Sequence, residues 1–401
     1  MHTYGTNKVF RNISNATFVS FIGDNIFYMA LIAFASGLKN SGLAISLVTT
    51  LSTVPQLSGI LLGHRADLIK DKVRALKWSN FFRFILFLIN ACVFMFFKGW
   101  HVLIGALLVN FICDSLGVLG DGLNFSVLAG TLSDEEYESG FGFNFGVGQA
   151  ISMIAQFSGT WLLIVLHYRY SLFSVINAIS FVFAIYFLNR VAIKNKLGIE
   201  KDDELARSLM DKIKSFMKHK KIMILTVYIA SINGLLAPIL PLLFMKSLKG
   251  GAMILLSYPF TVSLVGSIDS IGTILGSLIS SKFERFSIYS LLRVNMMLTI
   301  VELVLIYMNS LVVLLPIIFF SSLLVGLTMP MFEAELVTNC DSDSLGMVDG
   351  LIDSVLVCVV PVGTGIFTGI ATQNVSLALV ILMLLLVILI ILSGTMLRRW
   401  E

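Results

Sequence analysis

The sequence predicts an all-α membrane protein: twelve transmembrane helices in two pseudo-symmetric six-helix bundles. Three observations lead there. Of 401 residues, 57% are hydrophobic and 13% charged, against about 25% charged in an ordinary soluble protein. The apolar residues fall in blocks of roughly twenty, enough to cross about 30 Å of hydrocarbon. The blocks are also divided six and six by one long polar connector. So little charged surface excludes a soluble enzyme or a nucleic-acid-binding domain.

The first block, 12–36, follows a polar start with Lys8 and Arg11. It is long and has no small-residue cleavage site, so it reads as a spanning helix and not a removed signal peptide. Five more follow at 43–63, 75–97, 101–123, 143–166 and 170–191. The second half repeats the count at 221–245, 253–279, 288–308, 311–334, 346–370 and 374–397. The expected organisation is a bundle over 1–193, a linker over 194–220 and a bundle over 221–401. In the linker, Leu205, Leu209, Ile213 and Phe216 recur at helical spacing among Lys212, Lys214, Lys218 and Lys220. That pattern suits a short amphipathic helix on the membrane surface; a solvated linker is the plainer alternative.

Charge bias sets the orientation. With both ends in the cytoplasm, inner segments hold 22 Lys and Arg and outer loops hold 5. The positive-inside rule therefore puts both termini and the linker in the cytoplasm of a multi-pass plasma-membrane protein.

The halves resemble each other in loop chemistry as well as count. Gly117 to Gly140 has a counterpart in Gly326 to Gly350, and Gly59 to Asp67 corresponds to Gly272 to Ser280. In each half the fourth span ends in an acidic loop: Asp134, Glu135, Glu136 and Glu138 in one, Asp341 and Asp343 in the other. Duplicated bundles with a site near the midplane are the usual build of secondary transporters. The glycine-rich run Gly140 to Gly146 lacks the spacing and the Lys-Ser or Lys-Thr ending of a phosphate loop. The histidines and the four cysteines form no metal-ligand spacing or CxxC pair. The expectation is no enzyme, no cofactor and no metal centre.

The loop after the second span runs from Gly63 through Asp67 to Lys70, Asp71, Lys72 and Arg74. It resembles the cytoplasmic motif of the major facilitator superfamily: glycine, three residues, aspartate, then basic residues. The likeness extends over the whole chain in span count, connector and repeats. Pro55 to Gly63, the Asp134 loop and the helix from Gln149 to Gly159 resemble the bacterial macrolide-efflux and multidrug exporters. Leu68, Cys113-Asp114, Asp121-Gly122 and the proline-free Gln156 to Gly159 depart from the family pattern, while Pro330 keeps it. The resemblance implies the major facilitator fold, alternating access, and a gating clamp of Asp67 with Lys72 or Arg74 beside Gly63.

Ionisable residues at membrane depth cost roughly 2.5–3.5 kcal/mol each on insertion scales, so each is a functional candidate. Asp24, beside Gly23 and Asn25, and Asp114 both fall near the midplane. In the resembled fold the first and fourth spans line the cavity, so Asp24 and Asp114 are expected to face each other as proton-coupling or substrate groups. Hydrogen bonding to a neighbouring helix is the structural alternative. Asp121 and Arg83 are expected at the inner gate, Arg83 either snorkelling to headgroups or pairing with an acid such as Asp121. Glu302 and Asp353 are the second-half candidates. Glycines such as Gly142, Gly146, Gly266, Gly272 and Gly276 are expected at helix contacts, and Phe27 and Phe141 either in packing or on an apolar pocket.

Within the spans carboxylates outnumber Arg83, the only basic group. That balance suits a cationic or zwitterionic solute. The function expected is a monomeric secondary active transporter, exporting small amphiphilic or cationic compounds against protons, with sodium as the other ion. Lysophospholipid or other lipid translocation, uptake of a small solute, and a non-transporting sensor or assembly factor are the alternatives.

Overall fold

Lipid offers no partner for a bare N–H or C=O, so an apolar run must close its hydrogen bonds within itself, and helices result. The computed structural model describes residues 2–191, 219–249, 255, 258–283, 285–340 and 344–396. The linker helix expected over 205–216 lies outside them. A short helix α1, His2–Thr6, precedes α2, Lys8–Ser36. Then come α3, Ser41–Leu57; α4, Gly59–Leu68; α5, Lys72–Phe96; α6, Trp100–Ala129; α7, Tyr137–Val165; and α8, Tyr170–Leu188. After the linker follow α9, Lys220–Leu236; α10, Ile239–Lys249; α11, Tyr258–Ile279; and α12, Ile288–Tyr307. The chain continues through α13, Leu311–Asn339; α14, Leu345–Gln373; and α15, Val375–Met396.

Ten stretches among the described residues are helical, long and apolar enough to span a membrane. The other two expected spans are present as helices of different character. The second is broken at Ser58 into α3 and α4, three residues after Pro55, with the Ser58 hydroxyl donating to the Pro55 carbonyl at 2.6 Å. A proline cannot donate into the helical ladder and loosens it locally. The fifth is α7, a continuous helix of 29 residues. The seventh span is likewise divided, into α9 and α10, at Ala237-Pro238. Together these make the all-helical architecture of twelve spans.

Helix starts follow local chemistry. Asn7 caps α2 by accepting from the N–H groups of Val9 and Phe10 at 3.1 and 3.0 Å. Asp71 caps α5 by accepting from the Arg74 N–H at 2.9 Å. Such caps satisfy donors that a helix leaves open at its N-terminus.

By its contacts the chain divides into two compact units that do not follow chain order. The first comprises Met1–Ser133, Ala150–Lys218 and Cys340–Ser354; the second comprises Asp134–Gln149, His219–Asn339 and Val355–Glu401. In the first, α8 packs along α2 and α5, and α6 packs on α5 and α4. Its core includes Phe27, Phe87, Leu103 and Phe181, with Phe27 and Phe87 edge to face at 4.9 Å. Phe27 is therefore a packing residue, not a pocket wall. In the second unit α13 packs on α11 and α12. The α11–α13 contact is backbone to backbone: a Cβ at Gly276 would lie 2.1 Å from the Leu323 carbonyl oxygen. Gly266 faces open space, so it is not among the packing glycines.

Candidate functional site

Asp24 sits in the first unit where three helices meet. Arg83 of α5 donates from Nη2 to its Oδ2 at 2.6 Å, and Asn177 of α8 donates from Nδ2 to its Oδ1 at 3.0 Å. Gly23 makes this approach possible: a Cβ there would fall 2.3 Å from Asn177 Oδ1. The Asn177 amide is held in turn by the Ser180 hydroxyl, which donates to its Oδ1 at 3.1 Å. The guanidinium also lies 4.3 Å above the Phe181 ring, a contact worth about 2 kcal/mol when desolvated. The pair is unequal, because the Arg83 side chain is 9% exposed and that of Asp24 28%. Arg83 therefore neither snorkels to headgroups nor bonds Asp121. Its partner is Asp24, because α2 and α5 both pack against α8 at that level.

Asp114 takes a different partner. Asn110, one turn earlier on α6, donates to its Oδ2 at 2.6 Å. Asp24 and Asp114 are still near enough to interact electrostatically. Asn25 accepts from the Ser152 hydroxyl of α7 at 3.2 Å. Asp121 is exposed and lines a pocket that Arg83 also lines. Asp353, on α14, is exposed and interacts electrostatically with Asp121.

Asp67 is buried, at 6% exposed, and two of its contacts lie outside the expected clamp. Its Oδ1 accepts from the N–H of Gly346 at 2.8 Å and its Oδ2 from that of Met347 at 3.0 Å. These are the first amides of α14, which carry the partial positive charge of a helix N-terminus. Lys72 instead donates to the Ala66 carbonyl at 2.8 Å, and Arg74 is held through its backbone by Asp71. The helices touch directly here, since a Cβ on Gly63 would lie 1.9 Å from the Gly346 carbonyl oxygen. The second unit contains the counterpart: a Cβ on Gly142 of α7 would lie 2.3 Å from the Ser277 carbonyl oxygen of α11. There Ser280 stands where the first contact has Asp67, and its hydroxyl meets the Glu138 carbonyl oxygen at 3.5 Å.

The second unit also buries Glu302, 4% exposed, on α12. Beside it the Ser321 hydroxyl donates to Asn295 Oδ1 at 2.9 Å, and the Ser322 hydroxyl donates to Asp269. At one end of this unit Lys221 of α9 pairs with Glu335 of α13. Among the described residues no three metal-ligating side chains converge.

Sequence reasoning missed Asn110, Asn177, Phe181 and the amides of Gly346 and Met347. An asparagine inside an apolar run was the available signal, since a polar amide in lipid needs a partner. Backbone donors carry no such signal.

The profile of the Major Facilitator Superfamily matches residues 13–362. No curated protein sequence matches the chain. Among solved structures, a bacterial homologue of the iron transporter ferroportin, in an outward-facing state, is similar at 14% identity. Its TM-score is 0.69, over 96% of this chain and 99% of that one. The fucose transporter FucP, also outward, aligns at 14% identity and TM-score 0.62, over 96% and 98% of the two chains. The proton:xylose symporter XylE aligns at 10% identity and TM-score 0.62, over 96% and 95%. At such identities the likeness is one of fold, and these neighbours are transporters, not enzymes. With the profile covering most of its length, the chain belongs to the Major Facilitator Superfamily.

Proposed function

We propose that the protein is a proton-coupled exporter of small cationic or amphiphilic compounds, working by alternating access in the plasma membrane. One observation carries the reading. Arg83 is engaged by Asp24, while Asp114 has a neutral amide as its partner and no described ion pair. A carboxylate at this depth is costly without a counter-charge. A substrate cation supplies it, and a proton taken up at Asp24, near enough to interact with Asp114, makes the shared site less anionic, so the two binding events oppose each other as antiport requires. Asp24 serves as the proton switch, because taking a proton breaks its bond to Arg83. Asp114, with Asn25 nearby, serves the substrate. The contact of Asp67 with α14 acts as the latch of the inner gate. The exporter direction follows the resemblance of the Pro55 to Gly63 segment to the macrolide-efflux branch.

Flux into proteoliposomes, with an imposed proton gradient and a panel of organic cations, tests this. Asp24→Asn should abolish uphill movement and spare counterflow. Asp114→Asn should raise the half-saturating concentration of a monovalent cation about tenfold or more, the size of one lost charge contact. Uphill transport surviving in Asp24→Asn would remove the proton role from this residue, and Glu302 and Asp353 would be next in line. Transport that stops in sodium-free buffer would instead make sodium the coupling ion.

The proposed orientation has its own check. Lys39→Cys should react with an impermeant maleimide in intact cells, and Lys201→Cys only after permeabilisation. Labelling of Lys201→Cys in intact cells would reverse the topology drawn from the 22-to-5 charge bias.

A further inference from the structure

Beside the Arg83–Asp24 pair the first unit has a small polar pocket of about 40 Å³, open on one side. Its lining includes Thr17 and Ser20 of α2, Asn80 and Arg83 of α5, and Asp121 and Asn124 of α6. Two buried atoms of that lining have no hydrogen-bond partner: Nε of Arg83 and Oδ1 of Asn80. Arg83 is 7% exposed and Asn80 8%. Buried polar atoms are rarely left unpaired, and an exception calls for a cause. Here both belong to the same cavity as a carboxylate that is itself exposed, Asp121.

We propose that Asp121 is the second station of the Arg83 guanidinium. When a proton adds to an Asp24 carboxylate oxygen, the pair changes from net zero to +1. Arg83 cannot shed its own proton, and a buried guanidinium without an anion is strongly disfavoured. The side chain then turns through the pocket and bonds Asp121, which returns the local charge to zero. Asn80 Oδ1 offers an acceptor to the guanidinium on the way. Four groups interact electrostatically with Arg83: Asp24 from α2, and Cys113, Asp114 and Asp121 from α6. From α8 it meets the Phe181 ring, while the Asn177 amide is held by Asp24. Asp114 is the competing anion, but it does not line the pocket. Asp353 adds like charge near Asp121, so arrival of the guanidinium relieves that repulsion as well. Proton uptake on α2 is thereby converted into a new bond between α5 and α6.

This rests on the reading of Asp24 as the proton site, but its test needs no transport. Thermal stability of the purified full-length protein in detergent is compared for the parent, Asp24→Asn, Asp121→Asn and the double variant. Asp24→Asn stands in for the protonated state. At pH 8, Asp121→Asn alone should change little, because Arg83 is held by Asp24. In the Asp24→Asn background the same substitution should lower the melting temperature at least about threefold more, a coupling expected only of groups that share a partner. Additive losses would overturn the proposal. If Asp24→Asn does not accumulate as folded protein, the same cycle is run at pH 8 with Asp24→Ser, and additive losses there would overturn the second station even if Asp24 proves to couple transport.

Discussion

Arg83→Gln should lower the stability of the first unit by about 3 kcal/mol, the low end for breaking a buried ion pair, because Asp24 keeps an edge in contact with solvent. The magnitude follows from where the residue sits. Its side chain is 9% exposed, and its guanidinium is bonded to Asp24 and stacked over Phe181, so the substitution removes an ion pair and a cation–π contact together. Asp24 is left facing Asp114 with no cation between them. The double variant Asp24→Asn/Arg83→Gln should recover part of the loss, because neither charge is then orphaned. Recovery measured by thermal denaturation identifies a coupled pair; a double variant as unstable as the sum of the singles would show that the two act separately. Arg83→Lys should not restore the parent, since an ammonium neither spans the fork to Asp24 nor stacks on the ring as a guanidinium does.

This changes what a substitution at Asp24 reports. From sequence alone, Asp24→Asn is a size-neutral change of one proton site. In the structure it also removes the partner of Arg83, so transport measurements on that variant need stability measured beside them. The two losses are unequal, because an orphaned carboxylate can reach water through its exposed edge, whereas a guanidinium cannot shed its charge and must find another anion.

The fold was legible because the membrane imposes it. Apolar length fixed most helix boundaries to within a few residues, as at 288–308 against Ile288–Tyr307 and 374–397 against Val375–Met396. It failed where polarity and proline intervene, at the break between α3 and α4 and the turn at Ala237-Pro238. The ionisable candidates were equally legible, since a charge in lipid is conspicuous. Their partners were not. The depth of Arg83 suggested Asp121, yet the bond goes to Asp24, because helix packing and not depth decides which faces meet. Asp67 illustrates the same limit. Basic side chains nearby in sequence were the natural partners to expect, whereas the amides it bonds lie almost three hundred positions away.

Weakening the Asp67 contact should produce the second large effect. The carboxylate accepts from two amides at the start of a 29-residue helix, at 2.8 and 3.0 Å. Hydrogen bonds to a charged group are worth about 1.5–3 kcal/mol each. Asp67→Asn keeps one accepting oxygen, loses the charge, and turns an amide NH₂ toward a backbone N–H. A net loss of about 3 kcal/mol is expected, which shifts a two-state equilibrium on the order of 100-fold. Spin labels at Leu68 and Ser344 should accordingly report a longer distance in Asp67→Asn, while the thermal stability of the α2, α5 and α8 core stays near the parent value. Gly63→Leu should go further, because even a Cβ there would meet the Gly346 carbonyl at 1.9 Å and backbone cannot rotate away. At the counterpart contact the Ser280 side chain is a neutral hydroxyl that meets a backbone carbonyl, so Ser280→Ala should barely move the same distance. An unchanged label separation in both Asp67→Asn and Gly63→Leu would mean that the contact is incidental packing. A change in Gly63→Leu alone would assign the latch to close backbone approach, leaving the carboxylate as a cap for α14.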